Sequence, residues 1–165
     1  MSRLIAIFFG VGLLRPAPGT WGSLAAVLLA LGIDRYLGFP ALLAATAGVT
    51  AAGFWAVGKE LADRHGDDPS EFVIDEVAGQ WLALLFSSAA FWWRGHDGFL
   101  PWPAPLAAFL FFRLFDIWKP WLVGRADRRH DAAGVMLDDL WAGMFAGLAT
   151  MAAAAAYHVP MALMR

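Results

Sequence analysis

The chain has 165 residues, enough for one domain with a hydrophobic core, and 60% of them are hydrophobic while only 16% are charged. Since a soluble domain carries about 25% charged residues, this composition, with a mean hydropathy of +0.58, indicates a membrane protein. The net charge of −2 gives no reason to expect nucleic acid as a partner. The absence of cysteine excludes disulfides, thiolate metal sites and cysteine nucleophiles.

The first apolar run, residues 4–14, is too short for a membrane span, which needs about 20 residues. We therefore expect an interfacial or re-entrant segment. A signal peptide with Arg3 as its positively charged region is the alternative, but residues 15–18 lack the small-residue pattern of a cleavage site.

A glycine- and proline-rich turn at residues 16–23 precedes an apolar helix that we expect to run to about Leu37. Thr20 is the expected N-cap of this helix. Glycine lets a ligand approach the backbone, and free N–H groups at a helix N-terminus can bind phosphate. We therefore predict that Gly19, Thr20 and Ser23 bind substrate, with ordinary helix capping as the alternative.

Residues 40–58 predict a membrane helix rich in alanine and glycine, as close helix packing requires. Residues 68–71 then have the pattern of a capping box, which predicts a further helix from there to about Trp93. Asp75 and Glu76 lie in this helix between apolar residues, so these carboxylates are unlike those of a solvent-exposed helix surface. A functional role is therefore the favoured interpretation of this carboxylate pair.

The next predicted helix spans about residues 104–118 and is apolar except at its end. Arg113, Asp116 and Lys119 recur there at a spacing of three, so on a helix they share an arc of roughly 120°. Charges on an apolar helix usually face one another or a polar cavity. The alternative is a simple intrahelical ion pair at a membrane boundary.

Residues 125–131 predict a charged loop, and Asp138 and Asp139 are then expected to begin the last helix, which runs to about His158. Acids suit a helix N-terminus through its dipole, but two in tandem exceed what capping needs. The predicted fold is an all-α polytopic membrane protein with about four to five membrane helices, formed as a single domain by residues 1–165.

Positive charge predicts the orientation of these helices, because cytoplasmic loops are enriched in lysine and arginine. The loops beside the acidic clusters carry Arg15, Lys59, Arg64, Lys119, Arg125, Arg128 and Arg129. The opposite loops carry Arg35, Arg94 and Arg165. We therefore expect the acidic clusters to face the cytoplasm.

Acidic clusters at one membrane face, without cysteine, suit a hard divalent cation such as Mg²⁺, which prefers oxygen ligands and substrate phosphates. Arg113 and Lys119 could hold an anionic group, so phosphoryl chemistry on a lipid headgroup follows. The predicted catalytic residues are Asp75, Glu76, Asp116, Lys119, Asp138 and Asp139. The predicted metal ligands are Asp75, Glu76, Asp116 and Asp139, and Arg113 joins the predicted substrate-binding residues.

Other classes of membrane protein stay open at this point. A small polytopic transporter or ion-binding protein would also carry intramembrane charges, although it would usually place them near mid-membrane. A structural subunit would not need several carboxylate clusters. A phosphotransferase acting on a CDP-lipid would need a longer aspartate-rich repeat on one helix than this chain has.

Four sequence blocks together resemble the phosphatidylglycerophosphatase A family. They are residues 18–23 (PGTWGS), 68–79 (DPSE followed by IDEVAG), 112–121 (FRLFDIWKPW) and 134–139 (GVMLDD). The resemblance covers nearly the whole chain and implies a Mg²⁺-dependent lipid phosphatase. Such enzymes hydrolyse phosphatidylglycerophosphate at the cytoplasmic face of the bacterial inner membrane.

The chain departs from the family pattern at two places. The family often has a proline where this chain has Leu122, and a Gly-Gly pair where it has Ala132 and Ala133 before Gly134. Both differences lie in the loop after the fourth predicted helix and leave the acidic residues in place.

Overall fold

The computed structural model describes residues 1–62, 70–96 and 98–163, the last six of these by their backbone alone. These residues form helices and no β-strand, which confirms the predicted all-α class. A 3-10 helix, Phe8–Leu13, follows the first α-helix. The α-helices are α1 (Ser2–Ala6), α2 (Pro18–Ala62), α3 (Ile74–Trp93), α4 (Ala104–Trp118), α5 (Leu122–Asp127) and α6 (Ala132–Leu163).

Helix α2 reverses direction at Gly38, where φ is +79° and ψ is 176°. Glycine adopts a positive φ without the steric cost of a Cβ atom. Both ends of α2 lie beside the start of α3, because Gly22 packs against Val73 and Gly53 packs against Ile74. We call the two segments α2a (residues 18–37) and α2b (residues 39–62).

Helix α3 runs parallel to α2a, as two contacts at increasing residue number show. The indole N–H of Trp81 donates to the carbonyl of Ala26 at 2.8 Å. Further along both helices the Ser88 hydroxyl donates to Asp34. The end of α2a therefore meets the end of α3, and the start of each lies at the opposite end of the bundle.

Helix α6 also runs parallel to α3, since Gly143 packs against Gly79 and Gly147 packs against Phe86. Helix α4 runs the opposite way. Its connection starts beside α2a, where Arg35 lies over the Phe99 ring at 5.6 Å, and its last turn reaches the start of α6. Five long segments therefore alternate in direction, and one end of the bundle collects the starts of α2a, α3 and α6 with the end of α4.

The core forms where these segments meet, and its largest fully buried apolar side chains are Phe112, Leu42, Ile74, Leu84 and Met136. Many other large apolar side chains stay exposed on the outer surface, among them Leu28, Trp93, Ile117, Trp118 and Trp121. Lipid tails would solvate such an apolar surface favourably, whereas its exposure to water would be unfavourable. This surface indicates a membrane-associated protein.

Two described helices, Pro18–Ala62 and Ala132–Tyr157, are long and apolar enough to cross a membrane. This is fewer than the four to five predicted. Helix α4 has only 15 residues, short of the roughly 20 that a span needs, and α3 begins with two acidic residues. The first candidate span contains the break at Gly38 and therefore supplies two antiparallel segments.

The predicted start of α3 was wrong, because the helix begins at Ile74. Residues 68–69 of the expected capping box lie outside the described part of the chain. Glu71 does not cap α3. Its carboxylate instead accepts a hydrogen bond from Arg3 at 3.0 Å. Glu71 therefore binds the N-terminal segment, whereas the local sequence pattern predicted that it would cap the helix.

The predicted start of α6 was also wrong, because the helix begins at Ala132 rather than at Asp138. Asp131 is the reason, since its Oδ1 accepts the backbone N–H of Gly134 at 2.6 Å, as an N-cap does. Asp138 and Asp139 therefore lie beyond the first turn, where neither capping nor the helix dipole accounts for them.

Two smaller predictions were wrong in position. Residues 125–131, expected as a charged loop, begin inside the short helix Leu122–Asp127. Helix α2 starts at Pro18, which suits the first helical position, so Thr20 lies in the first turn and is not the N-cap.

Candidate active site

Three carboxylates from two helices form a compact group at the end of the bundle defined above. Asp75 and Glu76 lie in the first turn of α3, and Asp139 lies on α6. One oxygen from each of the three lies within 4.8 Å of the others. Asp75 is 8% exposed and Asp139 only 2%, so bulk solvent screens these charges little. Such carboxylates repel unless a cation or protons neutralise them, and the group can hold a metal ion.

The close approach of α3 and α6 brings the three acids together. Gly79 packs against the backbone carbonyl of Asp139, and Gly143 packs against the carbonyl of Gly79. Small residues at both positions let the two backbones touch, as in membrane helix pairs. A side chain at either glycine would push Asp139 away from Asp75 and Glu76.

Helix α4 adds a fourth carboxylate and an arginine to the group. Asp116 lies close enough to Asp139 for the two carboxylates to interact electrostatically. Arg113 Nη1 lies 2.6 Å from Asp116 Oδ2, which confirms that the spacing of three places both charges on one face. The Arg113 Nε atom is buried and has no hydrogen-bond partner among the described residues. The arginine therefore keeps a donor for an anion in this region.

The start of α2 packs against both the acidic group and Arg113 of α4. Gly19 lies directly against Glu76 Oε1 and close to Arg113 Nη1, the two side chains that a Cβ atom at this position would meet. Ser23 donates to the Gly19 carbonyl at 2.8 Å and accepts from Arg113 Nη1 at 3.4 Å. Thr20 lies in the same turn, but its side chain makes no hydrogen bond to the described residues.

Lys119 and Asp138 form a separate pair beside the acidic group. Lys119 Nζ lies 2.7 Å from Asp138 Oδ2 and 2.5 Å from Asp127 Oδ1. Burial alone would lower the pKa of Lys119, but its hydrogen bonds to Asp127 and Asp138 raise that pKa above its ordinary value. Lys119 therefore stays charged. The two neighbouring aspartates differ in their contacts, because Asp138 pairs with Lys119 whereas Asp139 lies beside Asp75 and Glu76.

Sequence reasoning missed two residues of this region. Asp127 was expected in a loop, but it ends α5, which brings its carboxylate to Lys119. Gln80 was not considered, although it follows Glu76 by four residues and therefore lies one turn further along the same face. Its side chain is fully buried, and neither amide atom has a hydrogen-bond partner among the described residues.

The donor set of the site favours a hard cation. All its candidate ligands are carboxylate oxygens, the type that Mg²⁺ and related ions prefer. Glu76 Oε2 and Asp139 Oδ1 are buried without a hydrogen-bond partner among the described residues, and a bound cation would satisfy both. The residues present therefore fit a divalent metal ion. Asp75, Glu76 and Asp139 form the cluster, with Asp116 beside it.

Comparisons with known proteins cover most of the chain. The family model for phosphatidylglycerophosphatase A matches residues 4–154. A Haemophilus influenzae protein named phosphatidylglycerophosphatase A is 35% identical over 91% of this chain and 86% of its own length. An Escherichia coli protein of the same name is 32% identical over 86% and 77%. A Bacteroides thetaiotaomicron protein named "Putative phosphatidylinositol-3-phosphatase" is 38% identical over 86% of each chain. No solved structure gives a significant match.

Proposed function

The chain belongs to the phosphatidylglycerophosphatase A family, and on that premise we propose that it hydrolyses phosphatidylglycerophosphate to phosphatidylglycerol and inorganic phosphate, with Mg²⁺ as its cofactor. Residues 1–165 act as one domain in this proposal. The single observation that carries the proposal is the buried group of Asp75, Glu76 and Asp139, whose oxygens converge within 4.8 Å.

Asp75, Glu76 and Asp139 would hold the cation, with Asp116 as a further ligand from α4. A divalent ion bound there supplies positive charge against the phosphoryl oxygens and makes a nearby water more acidic. The burial of the carboxylates strengthens these electrostatic interactions, because little water screens them.

Arg113 binds the phosphoryl group in this proposal. Its guanidinium has five N–H donors, and the contacts with Asp116 and Ser23 both use Nη1. The remaining donors, Nε–H among them, can bind phosphoryl oxygens and neutralise the charge that develops there. Lys119 has three N–H donors, and two of them donate to Asp127 and Asp138. The third can donate to a phosphoryl oxygen.

The first turn of α2 positions the terminal phosphate. Free backbone N–H groups at a helix N-terminus favour an anion, and Gly19 keeps this turn in contact with Glu76 and Arg113. Ser23 orients Arg113 by accepting its hydrogen bond. We assign Thr20 to the same phosphate-binding turn, through its hydroxyl.

The reaction adds water across the terminal P–O ester bond. The water oxygen bonds to phosphorus, the bond to the glycerol oxygen breaks, and the glycerol oxygen takes up a proton. A carboxylate of the site can accept the proton that the attacking water loses.

We place the protein as a multi-pass component of the bacterial inner membrane, with the active site at the cytoplasmic face. The alternating directions of α2a, α2b, α3, α4 and α6 agree with a multi-pass arrangement, in which the shorter α4 lies within the bundle formed by the longer segments. Residues 4–14 lie at the interface, which agrees with the exposed side chains of Phe9, Leu13 and Leu14. The excess of lysine and arginine at the active-site end supports the orientation.

Phosphate release by the detergent-purified chain tests the substrate. Phosphatidylglycerophosphate should be hydrolysed fastest, and phosphatidic acid and water-soluble phosphate esters at least about tenfold more slowly. Because one relative carries a different phosphatase name, phosphatidylinositol 3-phosphate belongs in the same assay. Faster release from that lipid would reassign the substrate while leaving the phosphatase reaction in place.

A further inference from the structure

Gln80 is the most anomalous polar residue in the described part of the chain. Its side chain is 0% exposed, and neither Oε1 nor Nε2 has a hydrogen-bond partner among the described residues. An amide buried in this way costs free energy, so native proteins rarely retain one without a partner. A chain rich in leucine and alanine could have placed an apolar residue there.

Gln80 lies one helical turn from the acidic group on α3. It follows Glu76 by four residues on α3, which puts the two side chains on one face and one turn apart. Its neighbours in sequence identify that face. Gly79 packs against Asp139 on α6, and Trp81 donates to Ala26 on α2a. Each residue turns a helix by about 100°, so Gln80 faces the space between α2a and α6.

Two further buried atoms without partners belong to the acidic group itself. Glu76 Oε2 and Asp139 Oδ1 are buried and have no hydrogen-bond partner among the described residues. An amide offers two N–H donors and one acceptor, which suits hydration water held between carboxylates. We propose that Gln80 is a positioning residue of the cation site, which binds the ion's hydration water and so fixes its place between Glu76 and Asp139.

This inference rests on the proposed function, because it assumes a divalent cation at the acidic group. Residues that orient the water and ligands around a metal typically change its affinity by about 10- to 100-fold when they are replaced. The Gln80→Leu variant keeps the approximate size and removes both polar atoms. Ser87→Ala is its matched control, since Ser87 is also buried without a partner on the same face but two turns further from the acids.

The experiment measures Mn²⁺ binding by electron paramagnetic resonance and thermal unfolding with and without Mg²⁺, on the full chain in detergent. Gln80→Leu should weaken Mn²⁺ binding by about 10- to 100-fold and shrink the Mg²⁺-dependent rise in unfolding temperature. Without metal it should unfold at the same temperature as the parent or higher, because an apolar side chain replaces unpartnered polar atoms. Ser87→Ala should leave Mn²⁺ binding unchanged.

Opposite results would overturn the inference. A Gln80→Leu variant that binds Mn²⁺ like the parent, or that loses stability without metal and keeps the full Mg²⁺ effect, would make Gln80 a structural residue. If the parent chain itself binds no Mn²⁺ and gains no stability from Mg²⁺, the proposed metal centre fails instead, and the two failures are therefore distinguishable.

Discussion

Gly19 at the start of α2 lies in direct contact with the carboxylate of Glu76 on α3. A Cβ atom on Gly19 would overlap Glu76 Oε1 and would lie 3.3 Å from Arg113 Nη1. This contact joins the expected phosphate-binding turn to the acidic group. A substitution at Gly19 can therefore displace the Glu76 carboxylate while leaving Glu76 itself unchanged.

The Gly19→Ala variant should therefore lose activity and remain folded. Glu76 can move because the atom in contact is the end of a flexible side chain, but a displacement of about 1 Å in an active site can cost roughly a hundredfold in rate. We expect a fall of at least about tenfold in kcat/KM with little change in unfolding temperature. Gly48→Ala is the matched control, since a Cβ there meets nothing within 4 Å. Equal activity in the two variants would contradict the role assigned to Gly19.

Lys119 and Asp138 should behave as a coupled pair in a double-mutant cycle. Lys119→Met leaves the buried Asp138 carboxylate without its strongest partner, and we expect a loss of roughly 2 kcal/mol, between the values for exposed and buried pairs. Adding Asp138→Asn should restore part of that stability, because the uncompensated charge disappears. Chemical denaturation of the four proteins gives the coupling, and strictly additive effects would mean that the pair does not interact in solution.

The Thr20→Val variant tests the phosphate-binding turn, because valine keeps the shape of threonine and removes the hydroxyl. We expect KM for the lipid to rise a few-fold while the unfolding temperature stays the same. Kinetics identical to those of the parent would leave Thr20 as a spacer in the first turn of α2.

Single cysteines at positions 70 and 98 test the orientation in the membrane, because the parent chain has none. Ser70 lies at the active-site end beside Glu71, and Gly98 lies near His96 at the other end. An impermeant thiol reagent should label position 98 but not position 70 in intact cells, and both after permeabilisation. Labelling of position 70 alone would reverse the proposed topology.

The helix positions could be predicted wherever a long apolar run decided them, as for α2a, α2b and α4. The starts of α3 and α6 could not be predicted, because the side chains that could cap a helix have competing partners elsewhere in the fold. Glu71 fits a capping box in the sequence, yet Arg3 binds it in the fold. Asp131 caps α6 from inside a run of charges that gave no helical signal.

The grouping of acids at the candidate active site could be predicted because alternating helices return their ends to one side of the bundle. Charges within apolar runs then marked Asp75, Glu76, Asp116 and Asp139. They also marked Asp138, which pairs with Lys119 beside the group. Gln80 could not be predicted in the same way, because a single amide in an apolar helix is unremarkable until its burial and its lack of a partner are known.

The central claim is that Asp75, Glu76 and Asp139 hold the cation on which hydrolysis depends. The variants Asp75→Asn, Glu76→Gln and Asp139→Asn each keep the size of the side chain and remove its charge. Asp34→Asn is the control, because Asp34 lies at the opposite end of the bundle beside Ser88.

Mg²⁺-dependent phosphate release from phosphatidylglycerophosphate by these four variants and the parent is the most direct test. We predict that each active-site variant falls at least about a hundredfold below the parent, that Asp34→Asn stays within about threefold of it, and that EDTA abolishes the parent's activity. Near-parental rates in all three active-site variants, or full activity of the parent in EDTA, would contradict the account.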